Sequence, residues 1–144
     1  EKPTITYGLR GLAGFNLTLY GPNRDLHSGQ FGGSVYNPAI ALSKIIASII
    51  DENGKIQVPG FYDDVIDITD LEHQALASLN INEKNFLAAV GLKDNFGEPE
   101  YTPLERRCGR PSFDINGLTS GYQGEGGKTI IPSIVCMNMF LKGK

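Results

Sequence analysis

Cysteine, surplus positive charge and long hydrophobic runs are all scarce in this 144-residue sequence. Its two cysteines, Cys108 and Cys136, are far apart and form no C-x-x-C pair, so the sequence predicts free thiols rather than a disulfide framework or a zinc site. Thirteen basic against 16 acidic residues give a net charge of −3, which argues against binding to nucleic acid or an anionic membrane surface. Apolar runs are only a few residues long, so no segment is expected to cross a membrane.

The first half of the chain carries the clearest secondary-structure patterns. Residues 8–20 end in an alternating apolar pattern, with Phe15, Leu17 and Leu19 on one face, which predicts a half-buried strand. A glycine-rich loop follows over residues 25–33. Asn37 and Pro38 then have the residue types of a helix N-cap and first helical position. The helix is expected to run to residues 53–54, with Ile40, Ala41, Ile45 and Ile49 as its apolar face, packed on the preceding strand.

The second half predicts short helices followed by strands. Helical spacing occurs over residues 70–76 and 82–91, within an insertion-like stretch at about residues 55–109 of a single domain covering residues 1–144. Pro99, Pro103 and Pro111 predict irregular structure around them, and residues 111–117 and 129–140 have strand patterns despite Pro132. This order indicates an α+β two-layer sandwich, an antiparallel sheet with helices on one face.

The motifs that suggest chemistry are individually weak. Lys128-Thr129 closes a glycine-rich run like that of a phosphate-binding loop, but the glycine spacing fails and Pro132 prevents the helix that would hold a phosphate. Ser28 lacks the surroundings of a serine nucleophile. His73 has the polar neighbours of a solvated helix face. His27, in the glycine-rich loop, is open to a structural or a ligand-binding interpretation, and the pattern alone favours the structural one because one histidine specifies no chemistry.

Several segments together resemble one known family, the dimerisation (lid) domain of M20-family metallopeptidases, with most similarity to the carnosinase-like dipeptidase branch. The resemblance extends from about residue 4 to residue 133. It rests on residues 6–11 (TYGLRG), 25–33 (DLHSGQFGG), 37–39 (NPA), 58–62 (VPGFY), 110–117 (RPSFDING) and 121–133 (GYQGEGGKTIIPS). The joint occurrence of the histidine loop and the lysine-threonine segment is much more specific than either alone.

The resemblance implies a function for a larger enzyme. In that family the domain is inserted into a catalytic domain that binds two zinc ions and hydrolyses dipeptides or related amides. We therefore expect a fragment with no metal site and no activity of its own, whose partners are a second copy in a homodimer, its own catalytic domain and a small peptide substrate. The resemblance also implies that His27 reaches the partner subunit's site and stabilises the oxyanion, and that Thr129 and Asn116 contact substrate.

The tail departs from the family pattern. Lys142 stands roughly where relatives have an arginine that grips the substrate carboxylate, and lysine lacks the fork geometry of arginine. The family fold is a ferredoxin-like β-α-β-β-α-β unit, which we expect to be incomplete at the C-terminus, so that an unpaired edge favours self-association. The alternative function is a non-catalytic interaction module. A cytoplasmic location is expected, since residues 1–4 lack the apolar run of a secretory signal.

Overall fold

A computed structural model of the protein describes Pro3 and residues 5–143. The elements, in chain order, are β1 (Gly11–Tyr20), β2 (Leu26–His27), α1 (Ser28–Phe31), α2 (Pro38–Ile49), α3 (Asp70–Ser78), α4 (Glu83–Ala89), α5 (Pro103–Gly109), β3 (Ser112–Ser120), β4 (Ile130–Ile131) and β5 (Ile134–Gly143). One sheet has the strand order β1-β5-β3, and β2 pairs antiparallel with β4 in a second, two-stranded sheet. The predicted mixture of helices with an antiparallel sheet is confirmed. The ferredoxin-like order of elements stays a prediction.

The chain divides into two compact units. One contains Ala13–Ile49 and Phe113–Phe140 and is called the sheet unit below. The other, called the helical unit, contains Ile50–Ser112 together with the described residues among 1–12 and 141–143. The predicted single domain with an insertion-like stretch at about residues 55–109 stays a prediction.

The core of the sheet unit forms between α2 and the central strand. Leu42 of α2 and Val135 and Met137 of β5 are almost completely buried. Partly buried apolar side chains from the neighbouring strands and the same helix surround them: Leu17, Leu19, Ala39, Ile46, Phe113 and Met139. One layer of helix therefore covers one face of the sheet, because both elements are apolar on the side that meets the other.

The packed face of α2 agrees only in part with the predicted one, since Ala41, Ile45 and Ile49 are half-buried but lie outside the core cluster. Asn37 caps the helix as expected, its Oδ1 accepting from the Ala39 N–H at 2.9 Å. The helix buries Leu42 with Ala39 and Ile46, whereas Ile40, assigned to the packed face, is 51% exposed. The helix is apolar around much of its circumference, so periodicity did not distinguish two adjacent faces.

Proline explains two further differences. The strand predicted over residues 129–140 is interrupted at Pro132 and Ser133, so that β4 and β5 belong to different sheets. Proline has no N–H to donate to a ladder, and the chain changes sheets there. The prediction of irregular structure around Pro103 is wrong, because Pro103 occupies the first turn of α5, where a missing N–H costs nothing. A capping box between Thr102 and Glu105 closes the same helix end.

Polar contacts organise the helical unit. Arg110 is buried and donates from Nε and Nη2 to the two carboxylate oxygens of Glu98, at 2.8 and 2.7 Å. The Arg110 guanidinium also lies 4.4 Å from the centre of the Tyr101 ring. His73, predicted to be a solvated residue, stacks on Tyr101 and places Nδ1 2.5 Å from Glu105 Oε1. The side chain keeps 39% of its surface exposed, so the helix face is partly solvated as predicted, but its partner Glu105 was not predicted because it is far away in sequence.

Candidate functional site

His27 is the last residue of β2 and the N-cap of α1. Its Nδ1 accepts a hydrogen bond from the Gly29 N–H at 3.0 Å, which satisfies one of the free N–H groups at the start of the helix. A nitrogen that accepts cannot carry the proton of a neutral imidazole, so the other nitrogen, Nε2, carries it. The local backbone therefore fixes the tautomer of His27 and turns its N–H away from α1.

Gly29 is required at its position by this close contact. A Cβ built on Gly29 would lie 2.6 Å from His27 Cε1 and 3.0 Å from Nδ1, well inside van der Waals contact. The glycine thus allows the imidazole to fold over the first turn of α1.

Thr129 meets His27 across the two-stranded sheet. The residue pairs are Leu26 with Ile131 and His27 with Ile130, and the Ser28 N–H donates to the Thr129 carbonyl at 3.1 Å beyond them. Thr129 Oγ1 lies 3.0 Å from His27 Nε2. With the proton on Nε2, the imidazole donates and the threonine oxygen accepts, which leaves the hydroxyl hydrogen able to donate to another group.

These residues line an open cleft of about 490 Å³ in the sheet unit. Its walls come from both sides of the two-stranded sheet: Asp25, Leu26, His27, Gly127, Lys128, Thr129 and Ile130. His27 and Thr129 are exposed there, so both side chains are accessible to a ligand. Lys128 lines the cleft and adds a positive charge to it, and its ammonium lies 4.1 Å from the centre of the Tyr122 ring.

Asp25 anchors the turn between β4 and β5. Its Oδ1 accepts from both the N–H and the hydroxyl of Ser133, each at 2.7 Å. These two hydrogen bonds, to the hydroxyl first and the N–H second, lower the pKa of Asp25 because they stabilise the ionised carboxylate. The Gly21 N–H donates to the Ser133 carbonyl at 2.7 Å, so Ser133 is held on both sides by residues just before His27.

The other predicted substrate contacts lie elsewhere in the described structure. Asn116 is exposed on β3, and Lys142 is near the end of β5, in the residues grouped with the helical unit. Neither lines the cleft that contains His27 and Thr129. Their roles stay predictions.

Metal and phosphate sites find no support in the described residues. Over Pro3 and residues 5–143, no three or more His, Cys, Asp or Glu side chains come together as a set of metal ligands. The cysteines Cys108 and Cys136 are both free thiols. The glycine-rich run before Thr129 leads into β4 rather than into a helix. The residues therefore do not fit a zinc pair, and they do not form a phosphate cradle.

The residues that hold His27 and the turn after β4 in place were not predicted from the sequence. Gly29, Asp25 and Ser133 fall in residues 25–33 and 121–133, which carry the family resemblance, but in these two segments only His27 and Thr129 are predicted to be site residues. Their residue types were a usable signal, because aspartate and serine commonly form side-chain hydrogen bonds to backbone groups at turns. Their pairing across 108 positions could not be read from one sequence.

Comparison with known proteins identifies the family. The family model of the M20 peptidase dimerisation domain matches residues 7–142. The chain belongs to the M20 peptidase dimerisation domain family. The predicted family, with similarity to its carnosinase-like branch, is thereby confirmed.

Individual M20 relatives match over nearly the whole of this chain. The Cys-Gly metallodipeptidase DUG1 of Candida albicans is 37% identical, covering 93% of this chain and 28% of that protein. The human Beta-Ala-His dipeptidase is 31% identical, and the match covers 94% of this chain and 27% of that protein. The M20 family metallo-carboxypeptidase Sso-CP2 from Sulfolobus solfataricus superimposes with a TM-score of 0.85 at 32% identity, covering 99% and 37%. The chain thus spans less than a third of the curated relatives it matches. No helix within the described residues is long and apolar enough to cross a membrane.

Proposed function

We propose that this chain is the lid and dimerisation domain of a metal-dependent dipeptidase. The relatives supporting this substrate class are named for two different dipeptides, Cys-Gly and Beta-Ala-His. The metal ions, two zinc ions by the family resemblance, would be held by a catalytic domain outside this sequence and would supply a polarised water for hydrolysis. The cytoplasmic location expected from the sequence is part of the same proposal.

His27 is the residue on which the proposal chiefly depends. Its neutral ring has a defined N–H at Nε2, because Nδ1 accepts from Gly29. When a peptide carbonyl is attacked, negative charge develops on its oxygen, and a preorganised N–H donor stabilises that charge more than the ground-state carbonyl. We infer that His27 of one subunit donates Nε2–H to this oxygen in the partner subunit's site.

Thr129 completes the donor pair. At 3.0 Å from Nε2 it occupies the direction in which the His27 N–H points, so it holds the ring until an oxyanion takes the hydrogen bond. The Thr129 hydroxyl can at the same time donate to a carbonyl or carboxylate of the substrate. Asn116 and Lys142 are proposed to contact the remaining polar groups of the dipeptide, with Lys142 acting as a single positive charge toward its carboxylate.

The test is the change of His27 to Ala in the full-length protein. Loss of one oxyanion donor lowers kcat by about 10²–10³-fold, or about 2.7–4 kcal/mol, with KM little changed. His73→Ala is the matched control: it removes a histidine that contacts Glu105 in the helical unit, so it should lower stability without lowering kcat.

A second pair of variants distinguishes the contribution of the Thr129 hydroxyl from that of the side-chain shape of Thr129. Thr129→Val removes the hydroxyl and should weaken substrate binding, whereas Thr129→Ser keeps it and should retain most activity. If His27→Ala leaves kcat unchanged, the catalytic role is wrong and the chain acts as an interaction module.

A further inference from the structure

The two strands that bring His27 and Thr129 together are unusually short. β2 and β4 have two residues each and are joined by the pairs Leu26 with Ile131 and His27 with Ile130. A ladder of this length is only marginally stable by itself. Because side chains alternate between faces, a slip of one residue would turn Thr129 away from His27. The register therefore needs support from outside the ladder.

That support lies at the end of the ladder away from Thr129. Asp25, directly before β2, accepts two hydrogen bonds at one oxygen from Ser133, two residues after β4. Ser133 is also bound through its carbonyl by the Gly21 N–H. Pro132, between β4 and Ser133, is buried and has no N–H, so Ser133 is the next residue able to donate from its backbone to the β2 side.

Close contacts at Gly21 further restrict the position of the turn that contains Pro132 and Ser133. A Cβ at Gly21 would lie 2.9 Å from Pro38 Cγ and 3.2 Å from the Pro132 carbonyl oxygen. The start of α2, the turn at Pro132 and the segment leading to His27 are thus in close contact. These contacts, with the bond from the Gly21 N–H to the Ser133 carbonyl, hold Ser133 close to the segment that leads to His27.

We propose that Asp25 is a positioning residue for the reaction: by binding Ser133 it fixes the register of β4 against β2 and so holds the Thr129 hydroxyl against His27 Nε2. This inference rests on the proposed function of His27. Asp25 acts through two other residues and does not itself need to contact the substrate. Its effect on activity should therefore depend on His27 being present.

The experiment is a double-mutant cycle on kcat/KM in the full-length protein. Asp25→Ala removes both hydrogen bonds and should lower kcat/KM by about 10- to 100-fold, as expected when a reacting group is misplaced by about 1 Å. In a His27→Ala background the same change should cost clearly less than in the wild type, since only the contribution of the Thr129 hydroxyl is then left to lose. Asp64→Ala, an exposed aspartate in the helical unit, is the matched control and should leave activity unchanged.

Graded variants keep the test usable if Asp25→Ala does not fold. Asp25→Asn retains an oxygen that can accept from Ser133, and Ser133→Ala removes only the hydroxyl bond, so both should lose less activity than Asp25→Ala. Partial rescue by asparagine supports positioning.

The possible results separate the two proposals. If His27→Ala has no effect, the proposed function is wrong and this inference is lost with it. If His27→Ala is strongly impaired but Asp25→Ala has no effect, Asp25 is not a positioning residue and the role of His27 stands. The same conclusion follows if Asp25→Ala lowers kcat/KM by the same factor with and without His27.

Discussion

Gly29→Ala is the change that most cleanly separates the geometry of the site from the stability of the fold. The new Cβ would lie 2.6 Å from His27 Cε1, where carbon atoms normally approach to about 3.5–4.0 Å. The imidazole must therefore move by about 1 Å. That movement breaks the bond from the Gly29 N–H to Nδ1 and carries Nε2 away from Thr129 Oγ1, now 3.0 Å distant.

The cost to folding should be small. His27 is exposed, so water replaces the lost hydrogen bonds, each worth about 0.5–1.5 kcal/mol net. Alanine in a helix is about 0.5–1 kcal/mol better than glycine, and Gly29 has no positive φ that alanine would strain. The free energy of unfolding should change by less than about 1 kcal/mol.

The cost to catalysis should be large. A donor displaced by about 1 Å loses up to about 100-fold in rate, so kcat should fall by about 10- to 100-fold. The assay is dipeptide hydrolysis by the full-length variant, with thermal unfolding measured on the same preparation. Gly143→Ala, where a Cβ meets no atom within 4 Å, is the control. A Gly29→Ala enzyme with wild-type kcat would refute the assigned ring position and tautomer.

Three further predictions concern stability. Glu98→Gln keeps one acceptor for the buried Arg110 guanidinium but removes its charged bidentate partner, and Asp67 Oδ1 still accepts from Arg110 Nη1 at 2.9 Å, so the free energy of unfolding should fall by about 1.5–3 kcal/mol in chemical denaturation. Burial alone would raise the pKa of Glu105, but the hydrogen bonds from His73 and Thr102 outweigh it and lower the pKa below 4.5. The stabilisation of the fold by the ionised Glu105 carboxylate is therefore fully present above about pH 4.5 and is lost as the pH falls through the lowered pKa. Glu105→Gln keeps the capping box but cannot ionise, so it should flatten the dependence of Tm on pH in that range. Leu42→Ala removes a side chain that is 2% exposed and should cost about 2–5 kcal/mol in denaturant, and a loss below 1 kcal/mol would contradict its place in the core.

Much of the fold could be predicted because local signals agree with tertiary packing. The alternation that includes Leu17 and Leu19 predicted β1, although Phe15 on the same predicted face is 46% exposed, and the Asn37-Pro38 cap predicted the start of α2. The sequence patterns gave wrong predictions where one residue type is compatible with two local structures. Pro103 starts a helix, whereas Pro132 ends a strand, and only the neighbouring residues distinguish these effects.

The candidate site was less predictable, since its parts come from distant segments. His27 and Thr129 are 102 positions apart, and neither a period nor a local motif indicates that their short strands pair. The resemblance placed both residues in one site, but it gave no tautomer. That detail comes from the Gly29 N–H, and the proposed support of the register comes from Asp25 and Ser133. Single-sequence patterns report such contacts only where the partners are neighbours in the chain.

The most direct test of the central claim is complementation between two inactive subunits. One subunit carries His27→Ala with an intact catalytic domain, and the other keeps His27 but is inactivated in its catalytic domain. If His27 acts on the partner subunit's site, random mixing of the two should restore about a quarter of wild-type activity, because half the dimers are mixed and each has one complete site. If His27 acts within its own subunit, or not at all in catalysis, the mixture will show no activity beyond that of the separate variants.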